Sequence, residues 1–222
     1  YLNKWIPEMD FQYHNYRDSH IENYLEAAEE LTKRGYSAIH EGSVVNERLI
    51  TDNPNIVDYA SNYHSDLMDL FLAENCKFFI ASTCGINSFP LIFRKPTLTV
   101  NLAHFISIPN FSGHDMFLPK KIAKLGEENF ISFGEIFRST KDLFVTAEHF
   151  QSNGYEVHEN TPEELLEAVV EMDERLKGQW IETEEDKQSQ EKFWDIVEEN
   201  GIYHPPLLRI CSSFLRRYPT LI

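Results

Sequence analysis

A run of small and polar residues separates two apolar stretches in "FFIASTCGINSFP", residues 78–90. The apolar "KFFIAS" predicts a buried strand and "GINSFPLIFR" a short helix, so the run forms a strand-to-helix turn. The turn contains Ser82, Thr83, Gly85 and Ile86. Its free backbone N–H groups and the start of the helix are typical of an anion or nucleotide site. The alternative is a turn that only connects a strand to a helix.

Cys84 lies in the same turn and suggests a second chemistry, that of a cysteine nucleophile. A nucleophilic thiolate needs a histidine base and a carboxylate that orients the base. The chain contains nine histidines, and no local motif selects one of them. The sequence therefore favours a structural role for this cysteine.

A second segment with suitable chemistry is "HNYRDSH", residues 14–20, in which Arg17 directly precedes a predicted helix. The planar guanidinium group binds pairs of phosphate oxygens through parallel hydrogen bonds, and a helix N-terminus favours the same anion. These features predict a diphosphate site that includes Arg17. The alternative is a surface arginine that pairs with Asp10 or Asp18.

His64, Asp66 and Asp69 in "HSDLMD" are side chains of types that bind metals. The two carboxylates lie three residues apart at the start of a predicted helix, where acidic side chains stabilise the helix dipole without a metal. The chain also lacks a D-x-D pair that would clamp a metal-bound nucleotide diphosphate. We therefore expect no metal and no bound cofactor.

The periodicity of the first half of the chain predicts the helices and strands that position these residues. Ser19 and Glu22 have capping-box spacing at the start of a helix that ends near Gly35. Short strands are predicted in "YSAIHEG", which ends at Gly42, and in "IVDYA".

Ser65 is expected to cap the next helix, whose inward apolar face would contain Leu67, Leu70 and Phe71. The strands "KFFIAS" and "PTLTVN" follow, with the short helix between them. This alternation predicts an α/β fold, a Rossmann-like parallel sheet with flanking helices.

The second half of the chain has a less regular pattern. It contains "IPNFSGHDMFLP", which predicts a long loop, "FGEIFRS", a short helix, and "YEVHEN", a strand. Thr161, Pro162 and Glu164 provide the N-cap, first-turn proline and capping box of a long helix. Two more helices are predicted in "TEEDKQSQEKFWDIVEEN" and "PLLRICSSFLRRY". We therefore expect a Rossmann-like domain in residues 1–160 and, in residues 161–222, a helical segment that packs on it or toward an upstream domain.

Composition narrows the class of protein. The 222 residues include 36 acidic and 20 basic side chains, a formal charge of −16, which argues against nucleic acid as a bulk partner. Three cysteines are too few for a disulfide scaffold. No stretch approaches the roughly 20 apolar residues of a membrane-spanning helix. These features predict a soluble, cytoplasmic protein without a transmembrane segment.

Several of the segments above occur in a specific order. They are "HNYRDSHIENYLEAAEELTKRGYSAIHEG", "IVDYA", "SDLMDLFLAENCKFFIASTCG" and "KPTLTVN", followed by "NTPEELLEAVVEMDERLKGQW", "QEKFWDI" and "FLRRYPTLI". In this order they resemble a bacterial family of predicted glycosyltransferases that are associated with surface-carbohydrate gene clusters. The resemblance covers nearly the whole chain.

The resemblance implies a GT-B-like architecture, in which two Rossmann-like domains face each other across a cleft. The C-terminal domain of such enzymes holds the nucleotide-sugar donor, and the sugar passes to a hydroxyl of a glycan or lipid-linked acceptor without a catalytic metal. The implied process is surface polysaccharide or glycan biosynthesis, in the cytoplasm or at the periphery of the inner membrane.

The resemblance also implies which residues hold the donor. They are Arg17, Gly42, Asp58, Tyr59, Ser82, Thr83, Gly85 and Ile86. His14 and His20 are chemical candidates for the general base, although a base in an upstream domain fits equally well. Cys84 stands where the family more often has serine, which leaves the backbone role of its turn intact.

The first residues, "YLNKWIPEMDFQYHNY", carry aromatic side chains without helical or strand periodicity. We therefore expect a fragment, the C-terminal donor-binding half, whose first strand lies upstream of Tyr1 and which is inactive alone. Two alternatives stay open. One is a non-catalytic α/β binding or interaction domain, and the other is a sugar-nucleotide epimerase of related architecture, with acid–base carboxylates and a histidine.

Overall fold

The computed structural model describes Glu8 and residues 11–103, 112–139, 146–202 and 207–222. Within these ranges the chain forms a mixed α/β fold with a four-stranded parallel sheet flanked by helices. The predicted α/β class is confirmed, and the parallel sheet is consistent with a Rossmann-like fold. In the described ranges, no helix combines the length and the apolar content that crossing a membrane requires.

The first half of the described chain alternates short helices and short strands, as predicted. The elements are two 3-10 helices (Gln12–Arg17 and Ile21–Tyr24), α1 (Leu25–Lys33), β1 (Ala38–Ile39), β2 (Ile56–Val57), α2 (Tyr59–Asn62), α3 (Asp66–Asn75), β3 (Phe79–Ala81), a 3-10 turn (Gly85–Asn87), α4 (Ser88–Ile92) and β4 (Thr97–Leu102). Strands β1 and β2 pair in parallel as a separate two-stranded sheet.

The second half completes the main sheet. Its elements are β5 (Met116–Pro119), β6 (Lys121–Lys124), α5 (Phe133–Ser139), α6 (Ala147–Ser152), β7 (Tyr155–His158), α7 (Pro162–Leu176), α8 (Glu184–Glu199), β8 (Arg209–Ile210), α9 (Ser212–Arg217) and a final 3-10 turn (Pro219–Leu221). The order of the parallel sheet is β3-β4-β5-β8, and β6 and β7 form an antiparallel pair.

Two sequence predictions in this half are wrong. The segment "MFLP", predicted as part of a loop, is the fully buried strand β5, and "PLLRI", predicted as helix, contains β8. Both strands are short, and β8 exists because Arg209 and Ile210 pair with Met116 and Phe117 of β5. Pairing between distant segments leaves no local periodicity to detect. The C-terminal segment therefore contributes a strand to the sheet as well as helices.

Helix starts follow the predicted caps at some positions and depart from them at others. Thr161 and Glu164 form the reciprocal capping box of α7, as predicted. Ser19 does not cap its helix, because its hydroxyl is hydrogen-bonded to the Tyr24 hydroxyl at 3.1 Å. The N–H groups at that helix start are satisfied instead by carboxylates from two distant segments.

The core lies between the main sheet and the helices that pack on it. Helix α7 packs against α1 and against β4 and β5. Phe117 of β5 contacts Phe193 of α8, with ring centroids 5.9 Å apart, and Phe193 meets Phe133 of α5 edge-on at 4.9 Å. Aromatic pairs in this arrangement stabilise a core beyond the burial of their area.

Helix α3 turns the opposite face to the core from the one that the sequence predicts. Its buried side chains are Asp69 and Ala73, whereas Leu67 and Phe71 are 80% and 54% exposed and Leu70 is also exposed. The Asp69 carboxylate is hydrogen-bonded to a tyrosine and a histidine of the preceding segment. These bonds hold the polar side of the helix inward, so its apolar side faces out.

We expect Leu67→Ser and Phe71→Ser each to change the free energy of unfolding by less than about 0.5 kcal/mol, because exposed side chains lose little on truncation. Leu98→Ala, at a fully buried position of β4, should cost about 2–5 kcal/mol. Urea denaturation of the three variants measures both effects. A cost above about 1.5 kcal/mol for Leu67→Ser would mean that this face is packed, as an apolar side chain loses that much only when buried.

Candidate functional site at the carboxyl edge of the sheet

A pocket of about 440 Å³ lies at the carboxyl end of β5. Its walls come from the segment between the two N-terminal 3-10 helices, the loop after β1 and the end of β7. The lining residues are Asn15, Tyr16, Asp18, Ser19, His20, Ile21, Asn46, Glu47, Lys120, Val157 and Glu159. Open α/β folds bind ligands beyond the carboxyl ends of parallel strands, so the pocket lies where a ligand is expected.

Two consecutive lysines follow β5, and both are buried. Lys121 forms an ion pair with the buried carboxylate of Glu164. Lys120 is 4% exposed and lines the pocket, and its Nζ donates a hydrogen bond of 2.5 Å to the Asp18 carbonyl oxygen. Among the described residues, no carboxylate forms an ion pair with Lys120. The two neighbouring ammonium groups therefore differ in whether the protein neutralises them.

The ammonium of Lys120 is suited to an anionic ligand. Burial lowers its pKa to about 8, while the charges of Glu159 and Asp18 act in the opposite direction, so the group is still largely protonated at pH 7. A buried ammonium without a counter-charge is costly. Nζ has three donors, and the Asp18 carbonyl takes one of them. A ligand anion in the pocket would use the remaining donors and form the direct ion pair that neither Glu159 nor Asp18 forms.

Two carboxylates form the opposite side of the pocket and close the start of the second 3-10 helix. Glu47 accepts hydrogen bonds from the Ile21 N–H at 3.0 Å and from His20 Nδ1 at 2.8 Å. Glu159 accepts from the His20 N–H at 3.0 Å. These bonds occupy the helix N-terminus that the sequence assigns to a diphosphate. Lys120 is therefore the cation of this pocket whose ammonium is available to an anion.

The candidate bases His14 and His20 have different surroundings. The hydrogen bond with Glu47 raises the pKa of His20, and the nearby charge of Glu159 adds to that shift. The raised pKa favours the protonated form of His20, which is the form that can stabilise negative charge in the pocket. His14 lies outside the lining residues, and burial and the charge of Arg17 lower its pKa.

Arg17 lies between two residues that line the pocket but does not line it itself. Its Nε donates to the Tyr16 hydroxyl at 2.9 Å, and its guanidinium lies over the ring of Tyr16. Asp10 lies outside the described residues. Asp18 is described, and it forms no ion pair with Arg17. A role for Arg17 in phosphate binding stays a prediction.

The turn after β3 folds onto itself. The side-chain amide of Asn87 donates to the Ser82 carbonyl, and its oxygen lies 3.4 Å from the Cys84 sulfur. The backbone N–H groups of Ile86 and Asn87 also contact that sulfur. The helix that follows has five residues, so its dipole is short. The pocket lining includes none of the donor-site residues that the sequence predicts in this turn, which are Ser82, Thr83, Gly85 and Ile86.

Cys84 is an exposed residue. Partial desolvation by the surrounding turn nevertheless raises the pKa of its thiol, and the polar groups of Ser82 and of the backbone offset the shift only in part. The thiol is therefore protonated at neutral pH, whereas a nucleophile needs the thiolate. The structure gives the cysteine nucleophile no support.

A second group of polar side chains, which we call the acid–base cluster, follows β1 and β2. It consists of His40, Glu41 and Asp58. His40 Nδ1 lies 2.7 Å from an oxygen of Asp58. Asp58, which the sequence predicts as a donor-site residue, therefore pairs with a histidine. Because β1 and β2 are parallel neighbours, their carboxyl ends bring these residues together.

Two other predicted donor-site residues near this cluster have evident structural roles. The Tyr59 side chain is buried, and its hydroxyl accepts from the Ser65 N–H at 2.8 Å and donates to Asp69 at 2.7 Å, which fixes the start of α3. A Cβ on Gly42 would lie 2.9 Å from a methyl group of Val45. Glycine is therefore required there by the packing of the loop itself.

Sequence reasoning missed Lys120, Glu41, Glu47 and Glu159. The adjacent lysines in "FLPKKIAK" directly follow an apolar run, and that position is the one signal that pointed to a buried cation. The three glutamates lie in segments without a distinctive pattern. Their roles arise from contacts between segments far apart in the chain.

No group of three or more His, Cys, Asp or Glu side chains in the described ranges is arranged to hold a metal ion. Comparisons of the chain with protein-family models, curated proteins and solved structures gave no match. The geometry of the pocket and of the acid–base cluster is therefore what bears on function.

Proposed function

We propose that this chain is the donor-binding half of a glycosyltransferase that moves a sugar from a nucleotide-sugar to an acceptor hydroxyl. The observation that carries the proposal is the buried, un-ion-paired ammonium of Lys120 in a pocket at the carboxyl edge of a parallel sheet. An ammonium binds phosphate oxygens through charge-assisted hydrogen bonds. The nucleotide-sugar is a substrate here, and no cofactor is invoked.

The rest of the pocket matches the other groups of such a donor. Glu47 and Glu159 are acceptors for sugar or ribose hydroxyls. The volume of about 440 Å³ lies within the roughly 300–1,000 Å³ of small-molecule sites. The pocket therefore combines a cation for a phosphate with carboxylates for hydroxyls, which is the functional-group pattern of a sugar phosphate.

Transfer of the sugar leaves negative charge on the departing diphosphate. Lys120 and His20, whose pKa is raised by its hydrogen bond with Glu47, line the same pocket, and their protonated forms stabilise that charge as the bond to the anomeric carbon breaks. Arg17 lies between two lining residues without lining the pocket itself, and a contact of its guanidinium with the donor phosphate is part of the proposal. An acceptor hydroxyl would come from a glycan or a lipid-linked sugar.

Calorimetric titration with UDP, GDP and CDP at low salt tests the donor site. We expect saturable binding of at least one of them and a loss of affinity of about tenfold or more in Lys120→Met, because a hydrogen bond to a charged group contributes about 1.5 kcal/mol or more. Lys33→Met is the matched control, because this lysine of α1 is exposed. The affinity of the Lys33→Met variant for the nucleotide should equal that of the unmodified chain. Circular dichroism checks that both variants are folded. The absence of binding at millimolar ligand, or equal affinity in Lys120→Met, would refute the proposed site.

A sugar-nucleotide epimerase is the second candidate, because one observation favours it. Epimerisation needs groups that remove and return a proton, and the acid–base cluster places a histidine and two carboxylates at the same edge of the fold. Incubation of the full-length protein with UDP- and GDP-sugars separates the two functions. Epimerisation yields an isomeric nucleotide-sugar, whereas transfer or hydrolysis releases the free nucleotide.

A further inference from the structure

The His40–Asp58 pair is held rigidly. Besides the side-chain bond, the His40 N–H donates to the Val57 carbonyl at 2.9 Å and the His40 carbonyl accepts from the Ala60 N–H at 2.9 Å. The side chains of His40 and Asp58 are 11% and 7% exposed. The imidazole ring therefore has a fixed position at the carboxyl ends of β1 and β2.

Asp58 remains ionised beside the ring. Burial raises the pKa of its carboxyl, but the nearby polar groups of Ser61 and the hydrogen bond with His40 outweigh burial and leave the pKa below its usual value. An ionised carboxylate accepts the Nδ1 proton and thereby selects the tautomer with a lone pair on Nε2. Among the described residues, no hydrogen-bond partner of Nε2 is found. The ring therefore has a proton-accepting nitrogen available.

Glu41 follows His40 directly and is also unusual. Its Oε1 is buried without a hydrogen-bond partner in the described part of the chain. Burial raises the pKa of this carboxyl to about 7, and the charge of Asp69 adds to the shift. The charge of Glu41 in turn acts on the thiols of Cys76 and Cys84 and contributes to raising the pKa of each. Glu41 thus exchanges its proton near neutral pH.

One loop connects the acid–base cluster to the Lys120 pocket. It begins at Glu41 and reaches the pocket at Glu47 six positions later. The charge of Glu41 acts on the Cys84 thiol, and a charge on Cys84 acts on Tyr24, whose hydroxyl is bonded to Ser19 of the pocket lining. The loop and these neighbouring groups link the cluster to the proposed donor site.

We propose that the acid–base cluster is a proton-transfer site in which His40 Nε2, oriented by Asp58, takes the proton of a ligand hydroxyl. The identity of that hydroxyl as the sugar acceptor rests on the proposed function. As the hydroxyl oxygen bonds to the anomeric carbon, the bond from that carbon to the diphosphate oxygen breaks and the diphosphate leaves with the electron pair. The proton on Nε2 then passes to solvent, and Glu41 is a second group that exchanges protons at the same place.

Long-range ¹H–¹⁵N spectra of the labelled chain read the tautomer directly. We expect the neutral His40 ring to carry its proton on Nδ1, and we expect Asp58→Asn to shift the ring toward the Nε2–H tautomer, because the carboxylate that selects Nδ1–H is gone. Carboxyl ¹³C shifts, assigned with Glu41→Gln, should show Glu41 titrating near pH 7.

Diethyl pyrocarbonate, which acylates an unprotonated imidazole nitrogen, tests whether Nε2 is available. We expect peptide mapping to show acylation of His40, and labelling about tenfold slower in Asp58→Asn, because the Nε2–H tautomer has no lone pair there. His149 of α6 is the internal control, since it is exposed and far from Asp58 in sequence, and its rate should not change.

In the full-length protein, His40→Asn retains a donor toward Asp58 and removes Nε2, so kcat should fall about 100-fold with little change in the KM for the donor. An Nε2–H tautomer in the unmodified chain, resistance of His40 to acylation, or an unchanged kcat would overturn the proton-transfer site. Failure of nucleotide binding with the tautomer and labelling as expected would instead remove the proposed donor and leave the proton-transfer site standing. The two proposals therefore fail separately.

Discussion

Glu164→Leu should lower the free energy of unfolding by about 3–5 kcal/mol, because it leaves the Lys121 ammonium buried without a counter-charge. The two side chains are 3% and 1% exposed and form an ion pair. Glu164 also accepts from the Thr161 N–H at 3.0 Å and from the Tyr218 hydroxyl, whose pKa is raised by burial and by this carboxylate. The Glu164 carboxylate therefore neutralises Lys121 of β6, caps α7 and binds the hydroxyl of Tyr218.

Urea denaturation of four proteins measures this effect. The double variant Lys121→Met with Glu164→Leu should recover part of the loss, since an apolar pair replaces a buried ion pair at little cost. The control is Glu184→Gln, which removes one partner of the exposed pair with Lys187 and should cost less than about 1 kcal/mol. Equal losses in Glu164→Leu and Glu184→Gln would contradict the buried-charge explanation.

Acidification should lower the free energy of unfolding by about 2 kcal/mol through the protonation of Asp186 alone. This buried carboxylate accepts from Arg216 Nε at 2.6 Å and from the Thr183 N–H at 2.8 Å at the start of α8. The hydrogen bond from Arg216 lowers its pKa from 3.8 to about 2, although burial acts in the opposite direction. Because the pKa is lower in the folded state, the stabilisation is complete above pH 4 and is lost between about pH 4 and 2.

The measurement compares Asp186→Asn with the unmodified chain by urea denaturation from pH 6 to pH 3. The difference in unfolding free energy should be largest at pH 6 and should shrink steadily below pH 4. Asp195→Asn, at an exposed position of the same helix, should show no such trend. A difference that does not depend on pH would mean that Arg216 leaves the pKa of Asp186 unshifted.

Two adjacent lysines at the carboxyl end of β5 have different partners. Lys121 is neutralised by Glu164 and has a structural role, whereas Lys120 lines the pocket and is the group on which the proposed donor site rests. Successive side chains at a strand end point to opposite sides. A difference of one position therefore separates a stabilising charge from the charge of the proposed site.

The sequence by itself determined the elements with local signals. The capping box at Thr161 correctly predicted the start of α7, and the alternation of short apolar strands with helices correctly predicted a parallel α/β fold. Caps and hydrophobic periodicity depend on residues a few positions apart. Such signals can be recognised in the sequence without knowledge of the tertiary structure.

The tertiary structure decided the rest, because the deciding contacts join distant segments. Strand β8 exists through its pairing with β5, and α3 buries Asp69 rather than its leucines because of bonds from the preceding segment. The hydrogen bond from His20 to Glu159 spans 139 positions. The opening "STCG" turn gave a plausible anion site by composition, but its polar groups bond to one another. Whether a polar residue faces a ligand or the protein depends on its packing, and a linear pattern does not contain that information.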